Sequence, residues 1–237
     1  MLAEAGEARF REHTARVAVI VALGVERACV GRTGPGVALV QSGPGEARAA
    51  DAASAALAAG AQALVSFGLA GGVAADVRPG RLLLPREVVT QDARRFTVEP
   101  RWHQRLAAAL ASTGADDRPL LAAADVIAGT DEKRRAATLG AAAVDLESGA
   151  IAAEAARAGV PFAVIRAVAD GPGDELPVDV SAWVGADGET RLVRVLAAAA
   201  RPRNWGPLLT LARRYRAARR SLEAAARRVA REDFLFA

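Results

Sequence analysis

Short apolar runs of strand length alternate along this chain with segments of helical length that are rich in alanine, arginine and glutamate. The apolar runs are Val17–Leu23, Gly36–Val40, Ala63–Phe67, Leu120–Ile127, Ala141–Leu146 and Pro161–Ala169. Several are almost continuously apolar, as expected for strands buried on both faces of a parallel sheet. The helical segments are Gly45–Ala59, Arg101–Ala111, Asp131–Leu139 and Ser148–Ala158. This repeated alternation of strand and helix predicts a three-layer α/β domain.

No internal repeat or long linker interrupts the alternation, so residues 1–237 are predicted to form a single domain. Residues 201–237 are predicted to extend that domain by a basic amphipathic helix, with ten arginines against three acidic residues. Its apolar side chains recur at three- and four-residue spacing, from Leu208 to Val229. Three explanations stay open: a helix packed on the domain with an arginine-covered outer face, contact with a membrane surface, or nucleic-acid binding. No known nucleic-acid motif accompanies the charge, so no nucleic-acid partner is predicted.

Composition excludes several classes of site. The single Cys29 rules out a disulfide framework, and His13 and His103 are too few for an imidazole or thiolate cage, so no metal and no cofactor are predicted. The longest uncharged stretch, Ala52–Ala75, is dominated by alanine and glycine and is not expected to span a membrane. No signal peptide is recognised, so a cytoplasmic protein is expected. The single lysine, Lys133, among 31 basic residues is interpreted as a reflection of nucleotide composition.

Three acidic residues share a position in the pattern, just past an apolar run. They are Glu26, Glu147 and Asp170. In open α/β sheets ligands bind at the carboxyl ends of the strands, so the three carboxyl groups are predicted to converge on one crevice. Each also has a structural explanation: Glu147 as a residue that favours a helix N-terminus, Asp170 as a turn residue, and Glu26 as a solvated acid in a first helical turn.

Two glycine-rich turns lie in the same relation to the predicted strands. Ser42-Gly43-Pro44-Gly45 follows a strand and opens a helix, where free backbone N–H groups can hold an anion or a sugar hydroxyl. Gly68-Leu69-Ala70-Gly71-Gly72 ends another strand and lets the backbone approach a ligand closely. Neither turn matches the dinucleotide fingerprint or the phosphate-binding loop.

Two segments together resemble a known enzyme family. Val144-Asp145-Leu146-Glu147-Ser148-Gly149-Ala150, followed by Pro161 to Asp170, is similar to the signature of the purine nucleoside phosphorylase / methylthioadenosine nucleosidase superfamily. That signature runs V-D-M-E-S-A-A and then V-P-F-hydrophobic-V-I-R-A-I-S-D. The two glycine turns resemble the family's S-G-x-G and G-S-A-G-G turns, and Ala22 to Glu26 lies where nucleosidases carry A-M-E-E-E. The resemblance covers about residues 16–200 and implies a central mixed, mostly parallel sheet.

The resemblance implies cleavage of an N-glycosidic bond, with Asp170 as the acid that protonates the purine at N7. It implies that Glu26 activates the attacking water and that Glu147 binds the ribose hydroxyls. Leu146, Gly71, Gly43 and Gly129 are then expected to bind the substrate. Burial beside the end of its strand is expected to raise the pKa of Asp170, with Arg166 opposing that shift.

The sequence leaves open whether the nucleophile is water or phosphate. The positions of an arginine and a serine that hold phosphate in phosphorolytic relatives are taken here by Ser66 and Leu69, which favours water. Phosphate is the expected co-substrate if the reaction is phosphorolytic, and Arg27, Arg32 or Arg78 are candidates to rebuild an anion site.

The base site also departs from the nucleosidase pattern. The segment Ala128 to Lys133 lacks the aromatic residue that stacks on adenine in nucleosidases, which leaves Phe67 or Phe162 as candidates, and both also fit a core role.

Among the branches, the chain is most similar to the hopanoid-associated phosphorylase-like proteins, which act on adenosylhopane. The grounds are the short Gly129-Thr130-Asp131 loop and the tail segments 191–196 and 207–213. This branch implies a nucleoside-lipid substrate, membrane-surface contact through the basic helix and a peripheral location at the inner face of the membrane.

The family as a whole implies a homo-oligomer. Alternatives are a phosphorolytic purine nucleoside phosphorylase, a general methylthioadenosine/S-adenosylhomocysteine nucleosidase, and a non-enzymatic nucleoside- or lipid-binding module.

Overall fold

A computed structural model describes residues 15–125, 127, 129–174, 185, 187–189 and 205–236. Within these residues nine strands form one mixed sheet. They are β1 (Val17–Val21), β2 (Val37–Gln41), β3 (Ala63–Gly72), β4 (Leu82–Leu83), β5 (Glu87–Thr90), β6 (Arg95–Thr97), β7 (Leu120–Ala122), β8 (Ala143–Asp145) and β9 (Phe162–Asp170). Together with the helices that flank the sheet, they confirm the predicted α/β fold with its mostly parallel sheet.

Strand β3 is the centre of the sheet. It runs parallel to β1 over its first half and parallel to β9 along most of its length, and the strand order is β2-β1-β3-β8-β7-β5-β6. Its last residues, Gly71 and Gly72, turn to pair antiparallel with β8. Because β1, β3 and β9 are parallel neighbours, their carboxyl ends lie at one edge of the sheet. The other antiparallel pairs are β5 with β6 and β4 with β9.

Six α-helices lie in the described part of the chain, and small apolar side chains form the contact between two of them. They are α1 (Gly24–Val30), α2 (Glu46–Ala58), α3 (Pro100–Ala109), α4 (Thr130–Ala137), α5 (Ser148–Ala158) and α6 (Trp205–Val229). Helix α2 buries Ala49, Ala53 and Ala56, which lie on one face because they are spaced by four and three residues. It packs against α5. Alanine at this contact allows the two helices to approach closely, which compensates for the scarcity of large core side chains.

Helix α6 is buried along its apolar side. Ala218, Leu222 and Val229 are almost fully inaccessible, and the helix packs against α1 and β9. It continues into the 3-10 helix Ala230–Leu235, whose Phe234 packs edge-to-face on Phe67 with ring centroids 6.1 Å apart. Phe67 therefore belongs to the core, as does the buried Phe162. Residues 201–204 and 237 of the predicted extension lie outside the described residues.

Several element boundaries differ from the sequence-based ones. Strand β7 ends at Ala122 rather than Ile127, because the chain leaves the sheet once it reaches the carboxyl edge. Strand β3 continues to Gly72. Helix α1 and the short strands β4, β5 and β6 had not been predicted. Within the described ranges no helix is long and apolar enough to cross a membrane.

Candidate active site

Glu26 lies in the first turn of α1, directly after β1, and is 2% exposed. Its Oε2 accepts hydrogen bonds from the backbone N–H groups of Ala22 and Leu23, both at 2.9 Å. Its Oε1 accepts one from the N–H of Leu69 at 2.7 Å, which links α1 to the carboxyl end of β3. Burial raises the pKa of Glu26, while Arg166 and these backbone donors act in the opposite direction. The solvated role considered from the sequence is therefore wrong.

Arg166, on β9, is the centre of a buried charge cluster. Its Nη2 lies 2.5 Å from Asp145 Oδ2 and 3.6 Å from Glu147 Oε2. The same nitrogen donates to Ser66 Oγ at 2.7 Å and contacts Ser148 Oγ at 3.2 Å. All of these side chains are almost completely removed from solvent. A single guanidinium thus serves several carboxyl groups in an environment of low dielectric.

Glu147 lies between β8 and α5 and is held from two sides. Its Oε1 accepts a hydrogen bond from the backbone N–H of Gly45 at 3.0 Å, and its Oε2 faces Arg166. Burial raises the pKa of Glu147 to about 7; Arg166 opposes the shift, and the charges of Asp145 and Glu26 add to it. Since Asp145 is in contact with the guanidinium and Glu147 is farther away, Glu147 is the carboxyl group that the single cation compensates less.

The turn after β2 brings its backbone to Glu147. Gly43 and Gly45 have φ angles of 82° and 100°, in the region that glycine adopts without strain. This conformation directs the Gly45 N–H at the Glu147 carboxylate. The turn was expected to present free N–H groups, but the N–H of Gly45 is bonded to the acidic side chain of Glu147.

Glycines in β3 allow the side chains of Arg166 and Glu26 to approach the strand closely. A Cβ atom on Gly68 would lie 2.4 Å from both Arg166 Nη1 and Glu26 Oε1, so a side chain there would displace both groups. Gly71 pairs in register with Asp170 on one side and with Val144 on the other. The G-S-A-G-G-like turn therefore lies between the Arg166 cluster and the end of β9.

Asp170 is the last residue of β9, and its side chain is 14% exposed. Its Oδ2 is in contact with the ammonium group of Lys133, a residue of α4 that is itself buried. Burial raises the pKa of Asp170, and the Lys133 charge acts against that shift. The sequence-based expectation that Arg166 would oppose it is wrong: four residues along a strand place two side chains on one face but about 13 Å apart.

Gly129, another candidate for substrate binding, is the N-cap residue of α4 and lies four residues before Lys133. The neighbouring Val126 and Ala128 lie outside the described residues. Leu146 is half-buried and lines a cavity of about 210 Å³ together with Glu46, Thr90, Gln91, Ala123 and Gly149 among others. Of the candidate residues, Leu146 is the one that lines this cavity.

The arginines considered for an anion site do not gather around these carboxyl groups. Arg27 donates to the carbonyl of Leu39 and Arg78 to the carbonyls of Ala75 and Val77. Arg32 lies on the exposed surface after α1. Among the described residues no group of three or more histidine, cysteine or acidic side chains is arranged to hold a metal ion.

Sequence reasoning missed four members of the site: Asp145, Ser148, Arg166 as the centre of the cluster, and Lys133. Asp145, Ser148 and Arg166 stand inside the two signature segments, so their position in the motif was the available signal. For Lys133 the available signal was its rarity, as the only lysine of an arginine-rich chain. The side chain is buried against Asp170, a placement that the interpretation of Lys133 as a matter of composition did not indicate.

Comparisons with known proteins identify the family of the chain and proteins of similar fold. The sequence profile described as "Phosphorylase superfamily" matches residues 6–201. Comparison with curated protein sequences gives no significant match. Among solved structures, S-adenosylhomocysteine nucleosidase from Streptococcus pyogenes, in complex with 5-methylthiotubericidin, is similar with a TM-score of 0.62 and 23% identity, over 68% of this chain and 86% of that one.

Two further structures have the same fold. The methylthioadenosine/S-adenosylhomocysteine nucleosidase of Neisseria meningitidis aligns with a TM-score of 0.61 and 18% identity, over 89% of this chain and 96% of that one. Futalosine hydrolase of Helicobacter pylori aligns with a TM-score of 0.57 and 16% identity, over 64% of this chain and 88% of that one.

Proposed function

This chain belongs to the phosphorylase superfamily of enzymes that cleave N-glycosidic bonds, and we propose that it is a nucleosidase that releases adenine from a 5′-substituted adenosine with water as the nucleophile. The observation that carries the proposal is that Glu26, Glu147 and Asp170 are held in two buried ion groups beside β3, the strand that pairs with β1, β8 and β9. Two of these acids share Arg166, while Asp170 has its own cation in Lys133.

Glu147 is the proposed ribose-binding residue. Its carboxylate accepts hydrogen bonds from the 2′- and 3′-hydroxyls, and its negative charge stabilises the positive charge that develops on the ring as the bond breaks. Gly43, Gly71, Leu146 and Gly129 are the proposed lining of the substrate site.

Asp170 and Glu26 are the proposed acid and base. Water attacks C1′ and passes a proton to Glu26, and the C1′–N9 electron pair leaves with the purine, which takes a proton from Asp170 at N7. Raised pKa values suit both tasks, because a general acid or base works best when its pKa approaches the working pH. Each oxygen of Glu26 accepts at most two hydrogen bonds, so Oε1 retains a lone pair for the water.

Electrostatics favours water over phosphate. A phosphate dianion would have to enter beside Asp145, Glu147 and Glu26, where one guanidinium is already bonded to carboxyl groups. Arg27 and Arg78 are bonded to backbone carbonyls. Phosphorolysis remains the alternative, with phosphate as co-substrate.

Adenosylhopane is the proposed substrate, with methylthioadenosine and S-adenosylhomocysteine as the alternatives. Under this proposal the triterpenoid portion of the substrate stays in a bilayer, because it is strongly apolar, while the adenosine end enters the site.

Membrane contact is proposed through the outer face of α6. The apolar side of this helix is buried in the protein, so the contact would be electrostatic, through exposed arginines such as Arg213, Arg216 and Arg220 and anionic lipid headgroups. In sedimentation with phosphatidylglycerol vesicles, the double change Arg216→Gln/Arg220→Gln should weaken binding about 30-fold, at about 1 kcal/mol per arginine. Arg86→Gln is the control, and equal binding of all three proteins would contradict the contact. We also propose that the protein is a homo-oligomer and that it lies at the inner face of the membrane.

The decisive experiment measures adenine release by chromatography from adenosylhopane and from methylthioadenosine, each with and without phosphate. Asp170→Asn should abolish release, whereas Asp117→Asn, at a half-exposed residue paired with Arg86, should not change it. Release that requires phosphate would overturn hydrolysis. Release from methylthioadenosine alone would overturn the lipid substrate, and release that Asp170→Asn leaves intact would overturn the assignment of the acid.

A further inference from the structure

Lys133 is buried with its charged group fully satisfied. It is the single lysine of the chain, its side chain is 1% exposed, and it projects from α4 to the end of β9. Its Nζ contacts Asp170 Oδ2 and donates to the backbone carbonyls of Gly171 at 2.9 Å and Asp174 at 3.0 Å. An ammonium group has three N–H donors and no acceptor, so these three partners match the protonated form. Burying such a charge is costly unless it is paired in this way.

The same contact leaves one side of the Asp170 carboxyl group open. Lys133 engages Oδ2, and within the described residues Oδ1 has no hydrogen-bond partner. Oδ1 lies over Gly71, where an added Cβ would be 3.2 Å away. The missing side chain of Gly71 therefore keeps the surroundings of Oδ1 clear.

We propose that Lys133 is the positioning residue of the general acid: it fixes the Asp170 carboxyl group by Oδ2 and leaves Oδ1 to meet the purine. This inference rests on the proposed nucleosidase function. Because Lys133 also ties α4 to residues 171–174, it couples the segment that begins at Gly129 to the strand end that carries the acid. Both segments are expected to border the base.

Lys133 also offsets the effect of burial on the acid. Burial raises the pKa of the Asp170 carboxyl group, and the charge of Lys133 acts in the opposite direction. The other charged groups that face Asp170 are Asp174, which follows β9, and Arg214 of α6, which pairs with Asp174 at 2.6 Å. These two have opposite signs and are paired with each other, so Lys133 dominates the local balance.

The test compares Lys133→Met with Lys133→Arg, and uses Arg134→Met as the matched control. Arg134 is the next residue on the same helix, but its side chain is 78% exposed. Two readouts are needed: the pH profile of kcat/KM for adenine release, and the titration of the Asp170 carboxyl carbon by 13C NMR, assigned by its loss in Asp170→Asn.

Activity falls as the pH rises through the pKa of an acid that must be protonated. In Lys133→Met we expect this alkaline limb, and the carboxyl titration, to move up by about one pH unit or more. The activity plateau below the limb should fall at least tenfold, because the carboxyl group is no longer oriented. Lys133→Arg should return the limb toward its original position, and Arg134→Met should leave both readouts unchanged.

A merely structural lysine would lower activity equally at every pH without moving the limb, and that result would overturn the proposal. So would an unchanged carboxyl titration in Lys133→Met. The NMR readout does not need turnover, so it tests the pairing of Lys133 with Asp170 even in a protein that releases no adenine. Absence of adenine release from the wild-type protein would overturn the proposed function and not this pairing. If Lys133→Met does not fold, as judged by circular dichroism, Lys133→Gln replaces it, since it keeps a donor without the charge.

Discussion

The change Gly68→Ala tests whether β3 can carry a side chain at the position where Arg166 and Glu26 approach the strand. The added Cβ would lie 2.4 Å from Arg166 Nη1 and Glu26 Oε1, about 1 Å closer than an ordinary contact, so both groups have to move. Glu26 is held by three backbone N–H groups and Arg166 by Asp145, so a shift weakens charged hydrogen bonds worth about 1.5–3 kcal/mol each. With strain of similar size, we expect the free energy of unfolding to fall by about 2–4 kcal/mol.

Urea unfolding followed by far-ultraviolet circular dichroism measures this loss, and the thermal midpoint should fall by about 4–16 °C for a chain of this length. Adenine release should drop at least tenfold, because Glu26 is displaced. Gly206→Ala is the control: a Cβ there meets nothing within 4 Å, and alanine favours the helix. A Gly68→Ala protein within about 0.5 kcal/mol of wild type would refute the argument from close contact.

Three further changes probe the charges of the site. The pKa of Glu147 is raised to about 7 in the folded state, so its ionisation costs stability as the pH rises from about 4.5 to 7. In urea unfolding, the wild-type protein should therefore lose about 2 kcal/mol more stability between pH 5 and 7.5 than Glu147→Gln, and an identical pH dependence of both proteins would contradict this. Arg166→Met should destabilise the protein by about 3–5 kcal/mol, against less than about 0.5 for the exposed Arg86→Met, and similar melting temperatures for the two would disprove a buried ion cluster. Glu26→Gln should lower adenine release at least 100-fold while methylthioadenosine still binds by calorimetry; undiminished release would remove Glu26 from the proposed reaction.

The elements that position the site were largely predictable. Helix α5 begins and ends where the sequence predicted, with Glu147 as its N-cap residue and Gly159 stopping the helix in a left-handed conformation. Strand β9 was off by one residue at each end. In both cases a long apolar pattern is bounded by a residue with a strong local preference, which is the situation in which periodicity is most informative.

The connections around the site were harder to predict. Helix α1 has seven residues, too few for a helical period to stand out, and it follows β1 with only two residues between them. The sequence left a solvated role open for its Glu26, because nothing local indicates that Leu69, 43 residues away, donates to it. Strands β4 and β6 contain two and three residues, so their pairing depends on partners far along the chain rather than on a pattern of their own.

The partners of the buried charges depend on tertiary geometry in the same way. The sequence placed Arg166 four residues before Asp170, but the extended strand separates the two, and each charge finds its counterpart on another element: Asp145 from β8 for Arg166, and Lys133 from α4 for Asp170. This separation has a chemical consequence under the proposed mechanism. The acid can gain or lose its proton beside Lys133 without changing the charge of the Arg166 cluster, where excess negative charge is wanted for the ribose. If Asp170 and Glu147 shared one cation, each change in the protonation of Asp170 would alter the charge balance around Glu147. The separation into two buried ion groups therefore favours a site with one acid, Asp170, and one charge-stabilising carboxylate, Glu147.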